Sequence, residues 1–528
     1  MTSQPLQAAP PAAVASTHLN RQQRHLLLLT AAVSSGCGLA AELLLGTLTS
    51  YLVGAQALAY GVAVGGFLAA MGLGAYLSRF VAASPNLGEQ AEQQQLLNGF
   101  FAIELTLAPL VALVPLGLFA LFTLGGPVWI GLTFGTLILG VLSGMEVPLL
   151  TRLIELDEHD LSESLAGVLA LDYVGALAGS LLFPAVLLPL IGLLPSAFVI
   201  GSLPAWMVFF LSLAFPKMKP WRYIGLGVAI ALCVITPAVL PFSNNLENKL
   251  YKAPVVMRSQ STYQRIVLTR FGQAVRLFLN GELQLSTIDE YRYHEALVHP
   301  AMAAADNPKT VLLMGAGDGM ALREVLKWPS VENVHIVELD PAIIELAKSD
   351  TSLLKFNENA FSDPRVVIEY GDAFKAIPKL TEQFDVIVAD FPDPDEVAIA
   401  KLYSKGFYQQ LRSHLTPNGI LVTQASSPFF APKVISCITK TIADTGLIAE
   451  PYNVNIPSFG PWGFVIASQQ KLSFQETPLP NPTQFLSPEL LPTLFVFGKD
   501  IIDNAVEVNQ LSNPVIVPYQ SNPRWSVY

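Results

Sequence analysis

The sequence predicts a multi-pass α-helical membrane domain, followed by a small β-hairpin unit and an α/β Rossmann-like domain. Three observations carry that fold class. Of the 528 residues, 52% are apolar and only 13% charged, against roughly 25% charged in a soluble globular protein. The charges are sparse from His25 to Phe242 and ordinary from Ser243 onward, which divides the chain into a membrane half and a soluble half. From Thr310 the pattern alternates between strand and helix, as a mostly parallel sheet covered on both faces requires.

The elements follow in order. Residues 1–24, rich in Ala, Pro and Gln, are expected to be a disordered tail. They lack the compact basic start of a signal peptide, so no cleavage is expected. Seven apolar runs, 26–46, 57–78, 100–124, 127–149, 165–190, 193–215 and 222–242, reach or approach the roughly 20 residues that a bilayer demands. They give a membrane domain over 25–242. Gly61, Gly65 and Gly72 stand among small residues in the second run and are expected to form a close-packing face. Glu42, Glu104, Glu146 and Asp172 lie in or near these runs. A charge at membrane depth costs about 2.5–3.5 kcal/mol. These acids therefore line a cation pathway, sit near helix ends, or bond to Tyr and Ser hydroxyls inside the bundle.

Residues 243–300 are predicted to be a small β-strand unit, with turns at Phe271-Gly272 and Asn280-Gly281. Residues 301–470 form the Rossmann-like domain, and 471–528 a C-terminal extension. Strands are expected at Val311–Met314, Val334–Glu338, Val366–Tyr370, Phe384–Ala389 and Ile420–Gln424, with helices at Ala321–Lys327 and Ala342–Lys348. Ligands of such sheets bind beyond the carboxyl ends of the strands, and acids fall there: Asp318, Glu338, Asp372, Asp390, Asp393 and Asp395. Single acids of this kind are common as helix caps and turn formers; a run of them at successive strand ends points to a site.

The turn "GAGDG" at 315–319 is neither a P-loop, which needs Lys-Ser or Lys-Thr, nor the G-x-G-x-x-G of a dinucleotide site. An aspartate inside it repels a pyrophosphate and suits a cation. The ligand it fits is an adenosyl sulfonium without phosphates, so the fold is of the AdoMet-methyltransferase-like type. The formal net charge of −11 argues against a nucleic-acid partner. The three cysteines, Cys37, Cys233 and Cys437, show neither a disulfide framework nor metal spacing.

The segments "STYQ", "NGELQLSTIDEYRYHEALVHPAM", "GAGDGMALREVLKWPSVENVHIVELDP", "DPRVVIEYGDAF", "LYSKGFY" and "GILVTQASSPFF" resemble, in order from Ser261 to Ser468, the polyamine aminopropyltransferases, or spermidine synthases. The amino-terminal half resembles that of the long multi-pass members. The resemblance implies transfer of an aminopropyl group from decarboxylated S-adenosylmethionine to putrescine, giving spermidine and methylthioadenosine. By motif position it places Gln264, Glu338, Asp372 and Ala373 at the thionucleoside. It places Tyr293, His294, Asp318 and Asp393 on the polyamine side, and makes Asp390 the proton acceptor. Two departures stand out. The family's D-S/T-S/T-D-P reads "DFPDP", and Phe459 in "IPSFG" replaces a tyrosine; both make the acceptor pocket more apolar.

No metal or redox cofactor is expected, since the sulfonium is already a good leaving group. Expected partners are the amine and sulfonium substrates, the lipid bilayer and further copies of the chain. Two other functions fit the residues less well: an AdoMet-dependent methyltransferase, and a membrane polyamine transporter or sensor. Arg21, Arg24, Arg79, Arg152, Lys217, Lys219 and Arg222 place the amino terminus in the cytoplasm. Seven spans then put the soluble half outside. Because its substrate is made inside cells, the soluble half is expected in the cytoplasm, with the run holding Pro184 and Pro189 broken or re-entrant.

Overall fold

A computed structural model describes residues 19–521 except 54–55, 82–88, 159–160, 475–478, 481, 500, 502 and 504. The tail expected over 1–18 lies outside the described residues; residues 21–24 do not belong to it, because a helix starts at Arg21. The chain divides into two compact units, Met1–Leu250 and Tyr251–Tyr528.

Among the described residues, the first unit holds seven helices long and apolar enough to cross a membrane: Arg21–Val53, Leu58–Phe80, Gln90–Thr123, Val128–Leu156, Leu165–Ile191, Leu193–Ala214 and Pro216–Glu247. Each expected run falls within one of them or nearly so. The last continues past the expected boundary at 242. Asn248 N–H closes its final turn on the Asn244 carbonyl at 3.0 Å, so the units meet at Leu250 instead.

The expected glycine stripe is not the one that packs within this unit. A Cβ added at Gly61, Gly65 or Gly72 would meet nothing within 4 Å among the described residues. The second helix instead turns Gly66, Ala70 and Gly74 toward the fourth, one residue around from the expected stripe. A Cβ on Gly74 would lie 2.0 Å from the Val141 carbonyl, and one on Gly144 would lie 2.2 Å from that of Met71. The first and fifth helices approach as closely, at Gly175 against Ala32 and Gly179 against Gly36. Nor is the fifth run broken at Pro184. A π-helical turn, Phe183–Leu187, absorbs the proline. The helix then continues to Ile191 and ends at Gly192, with φ +81.

The second unit opens with an antiparallel sheet of four strands in sequence order: β1 (Val255–Gln260), β2 (Arg265–Phe271), β3 (Ala274–Leu279) and β4 (Glu282–Ser286). Asn280 and Gly281 both take positive φ at the β3–β4 turn, as a type I′ turn requires. A helix, Glu290–Ala304, follows.

The larger sheet has seven strands: β5 (Thr310–Gly315), β6 (Asn333–Glu338), β7 (Val366–Tyr370), β8 (Phe384–Asp390), β9 (Leu415–Gln424), β10 (Ile448–Ile456) and β11 (Gly460–Ser468). Their order is β10-β11-β9-β8-β5-β6-β7. The five from β5 to β9 run parallel; β11 pairs antiparallel with both β9 and β10. Successive residues of β5 feed opposite cores, Val311 and Leu313 on one face, Leu312 and Met314 on the other. Burial on both faces explains the uninterrupted apolar run.

The C-terminal extension is part of this unit rather than an appendage. The buried Glu295 carboxylate accepts hydrogen bonds from the backbone N–H groups of Gln484, Phe485 and Leu486 at 2.6, 2.9 and 2.8 Å. Leu491 and Leu494 join one core, and Val506 and Ile516 the other.

Candidate active site

The strand order reverses between β5 and β8, and Gly315 pairs with Asp390 there. Gly315 has φ +74, and a Cβ on it would lie 2.1 Å from the Asp390 carbonyl. Only glycine lets the two strand ends close up. A Cβ on Gly317 would meet Glu338 Oε2 at 2.9 Å. The glycines therefore bring Asp390 and Glu338 to one crevice. Within the turn, Asp318 Oδ1 accepts from Met320 N–H at 2.9 Å, leaving Oδ2 toward His294.

Glu338 is buried at the end of β6, and Oε1 accepts from Asp340 N–H at 2.9 Å. Burial lifts its pKa to about 7, with the charges of Asp340 and Asp318 adding to the effect. Asp340 joins the small sheet to this strand end. Its Oδ2 accepts from Ser261 Oγ at 2.6 Å and from Gln264 Nε2 at 2.9 Å. Gln264 thus reaches the neighbourhood of Glu338 through Asp340. Asp372, at the end of β7, caps the following helix at Phe374 N–H (3.0 Å) and pairs with Lys401 Nζ at 2.6 Å. Ala373 is buried as that helix's first residue.

On the other side of the turn, helix Glu290–Ala304 supplies two side chains to the acids. Tyr293 Oη donates to Asp390 Oδ1 at 2.5 Å. His294 Nε2 lies 3.9 Å from Asp318 Oδ2, and Nδ1 lies 2.8 Å from Glu290 Oε2. Arg323 holds Glu290 with two bonds of 2.9 and 3.1 Å. Burial alone would lower the His294 pKa, but the Glu290 hydrogen bond and the charges of Asp318, Glu290 and Asp390 carry it to about 9. An imidazolium therefore stands among these acids at neutral pH. Burial lifts Asp390 to about 6; Asp318 adds to that rise, while His294 and the Tyr293 hydrogen bond hold it back. Burial and the Asp390 charge push the Tyr293 phenol well above its ordinary value, so it stays a donor.

Asp393 sits in a separate polar ring. Ser426 Oγ donates to Oδ2 at 3.0 Å, Gln520 Nε2 to the same oxygen at 2.7 Å, and Gln424 Nε2 reaches Oδ1 at 3.4 Å. Burial raises Asp393 to about 7, Asp395 adds to the rise, and the three donors moderate it. Gln424 is itself fixed by the Phe391 carbonyl at 2.7 Å. Phe459 lies against Trp462 and Tyr293, with ring centroids 5.5 and 6.5 Å away. Phe459 thus belongs to an aromatic group with Tyr293 and Trp462, while Asp393 is held by the polar side chains of Ser426, Gln424 and Gln520. Cys437 is a buried core thiol bonded to the Glu507 carbonyl at 3.3 Å.

The sequence reading missed Asp340, Glu290, Arg323, Gln424, Ser426 and Gln520. The i, i+4 spacing of Glu290 and His294 was a readable signal. Gln520 gave none: it lies 127 residues from Asp393.

A spermine/spermidine synthase domain is matched over residues 290–478. The chain is 38% identical over 506 residues to polyamine aminopropyltransferase 2 of Ralstonia nicotianae, covering 94% of this chain and 97% of that one. It is 36% identical over 504 residues to the polyamine aminopropyltransferase of Oceanobacillus iheyensis, covering 94% and 96%. It is also 36% identical over 544 residues to polyamine aminopropyltransferase 1 of Streptomyces coelicolor, covering 99% and 98%. Similarity at this level along nearly the whole length of each relative means that the chain belongs to the polyamine aminopropyltransferase family.

Proposed function

We propose that the second unit transfers the aminopropyl group of decarboxylated S-adenosylmethionine to putrescine or a related amine, giving spermidine and S-methyl-5′-thioadenosine. The observation that carries this reading is Asp390. It is half-buried at the strand reversal, poised near pKa 6 and oriented by Tyr293 at 2.5 Å. A general base is most effective when its pKa lies near the working pH.

The acceptor amine arrives as an ammonium, with a pKa of about 10 like that of lysine. Asp390 takes one proton, and the freed nitrogen lone pair attacks the carbon next to sulfur. The N–C bond forms as the C–S bond breaks. Its electron pair returns to sulfur, which leaves as a neutral thioether, and the positive charge passes to nitrogen. Asp393 anchors an amine of the acceptor, and Asp318 holds the amine of the aminopropyl group. Tyr293 and His294 line the polyamine side. Glu338 accepts from the ribose hydroxyls, with Gln264, Asp372 and Ala373 around the rest of the nucleoside. Negative potential from the acids draws dications into the crevice. The sulfonium is activated by its own charge, so the step calls for no metal or redox cofactor.

The seven apolar helices support a seat in the lipid bilayer, and the origin of the sulfonium substrate inside cells supports a cytoplasmic second unit, which with seven full crossings requires the amino terminus on the outer side, against the bias of Arg21 and Arg24. The decisive experiment incubates the purified full chain with putrescine and either decarboxylated or ordinary S-adenosylmethionine. Spermidine and methylthioadenosine from the decarboxylated donor are expected. A methylated amine from the ordinary donor, or binding without turnover, would overturn the reading.

A further inference from the structure

The first unit buries carboxylates among apolar side chains: Glu104 is 0% exposed, and Glu42 and Glu146 are each 3% exposed. No lysine or arginine occurs between residues 25 and 78, 80 and 151, or 153 and 216. The stretches that hold Glu42, Glu104 and Glu146 therefore carry acids into the interior without a lysine or arginine among them.

Two of the acids share one polar cluster. Ser34 Oγ donates to Glu104 Oε1 at 2.6 Å, and Glu146 lies near both. Three buried acceptors here have no hydrogen-bond partner among the described residues: Glu104 Oε2, Glu146 Oε1 and Ser143 Oγ. Ser143 lies one turn before Glu146, and its hydroxyl is 3.3 Å from where a Cβ on Gly38 would stand. The Ser34–Gly38 turn of the first helix thus faces Glu104 on the third helix and Ser143 and Glu146 on the fourth. An uncompensated buried carboxylate is expensive, and hydroxyl bonding satisfies only part of this set.

We infer that the Glu104–Glu146 cluster of the first unit binds a protonated primary amine. An ammonium carries three donors, and three unpartnered acceptors are available: one oxygen on each carboxylate and the Ser143 hydroxyl. A calcium ion needs 6–8 oxygen ligands, more than this cluster presents. The choice of a polyamine as the amine rests on the function proposed above.

The test uses the full chain in lipid nanodiscs and radiolabelled spermidine. In an Asp390→Asn/Asp393→Asn background, which weakens amine binding by the second unit, about one spermidine per chain is expected to remain bound. Adding Glu104→Gln and Glu146→Gln should weaken that binding by about tenfold or more, the equivalent of one charge-assisted bond. Ser143→Ala keeps both charges and should weaken it by a smaller factor, which holds even if the Gln variants fold poorly. Glu104→Gln with the second unit unmutated should still form spermidine. Amine binding that is absent from the Asp390/Asp393 background, unmoved by Glu104→Gln and Ser143→Ala, or displaced equally well by sodium would overturn the inference. Failure of the parent chain to form spermidine would instead count against the proposed function, and is read separately.

Discussion

Replacing Tyr293 by phenylalanine removes a single oxygen, the one that donates to Asp390 Oδ1 at 2.5 Å. That bond favours the ionised form of Asp390, so its loss raises a pKa that already stands at about 6. A hydrogen bond to a charged group is worth about 1.5–3 kcal/mol, and one pKa unit corresponds to about 1.4 kcal/mol. The Asp390 pKa in Tyr293→Phe should therefore rise by about one to two units, to roughly 7–8. The base must be ionised to accept a proton, so activity is lost as pH falls through its pKa. At pH 7 the parent carboxylate is about nine-tenths ionised, and that of the variant about one-half to one-tenth. The value of kcat/KM at pH 7 should fall by about two- to tenfold, and most of it should return by about pH 8.5. The assay is the pH profile of methylthioadenosine release for both proteins, at saturating donor and limiting amine. An acid limb in the same place for both, or a uniform loss at every pH, would refute the link between Tyr293 and the ionisation of Asp390.

Asp390→Asn keeps the shape and removes the proton acceptor. Turnover should fall by about 10²–10⁴-fold with methylthioadenosine affinity nearly unchanged by calorimetry, and turnover within a few-fold of the parent would remove Asp390 from the role. Glu338→Gln should weaken methylthioadenosine binding by about 1–3 kcal/mol. In the parent, that affinity should strengthen as pH rises through about 7, because Glu338 is lifted there and the ribose hydroxyls bond best to its ionised form; a flat profile would contradict the assignment. Gln520→Ala removes the 2.7 Å donor to Asp393 and should raise KM for the acceptor amine more than it lowers kcat, as steady-state kinetics with varied amine would read. Reporter fusions after Lys252 and at the carboxyl terminus should report the cytoplasmic side, and activity of an export-only reporter at both would place the second unit outside.

What the sequence determined is local. The apolar runs are long enough that length and hydropathy alone specify helices. Asn280-Gly281 demands a turn with positive φ at both residues, and the structure has it. "GAGDG" must be a tight strand-to-helix turn, and acids placed after buried strands must surface at one edge of the sheet. Motif order supplied the family as well. What only the tertiary structure decided depends on partners far away in the chain. Periodicity tells which glycines of the second helix share a stripe, but that helix is apolar all round, so nothing local says which stripe meets a neighbour. Gly74 meets Val141, while Gly61, Gly65 and Gly72 meet nothing among the described residues. The antiparallel pair β10–β11 is equally silent, because its place is set by β11 pairing with β9. The grip of Arg323 on Glu290, 33 residues away, and of Gln520 on Asp393 exists only once the chain is folded. Those contacts bear on ionisation: they orient the partner of His294 and moderate the rise of Asp393 to about 7. A charge's environment is a sum over space, and the sequence lists its contributors without their distances.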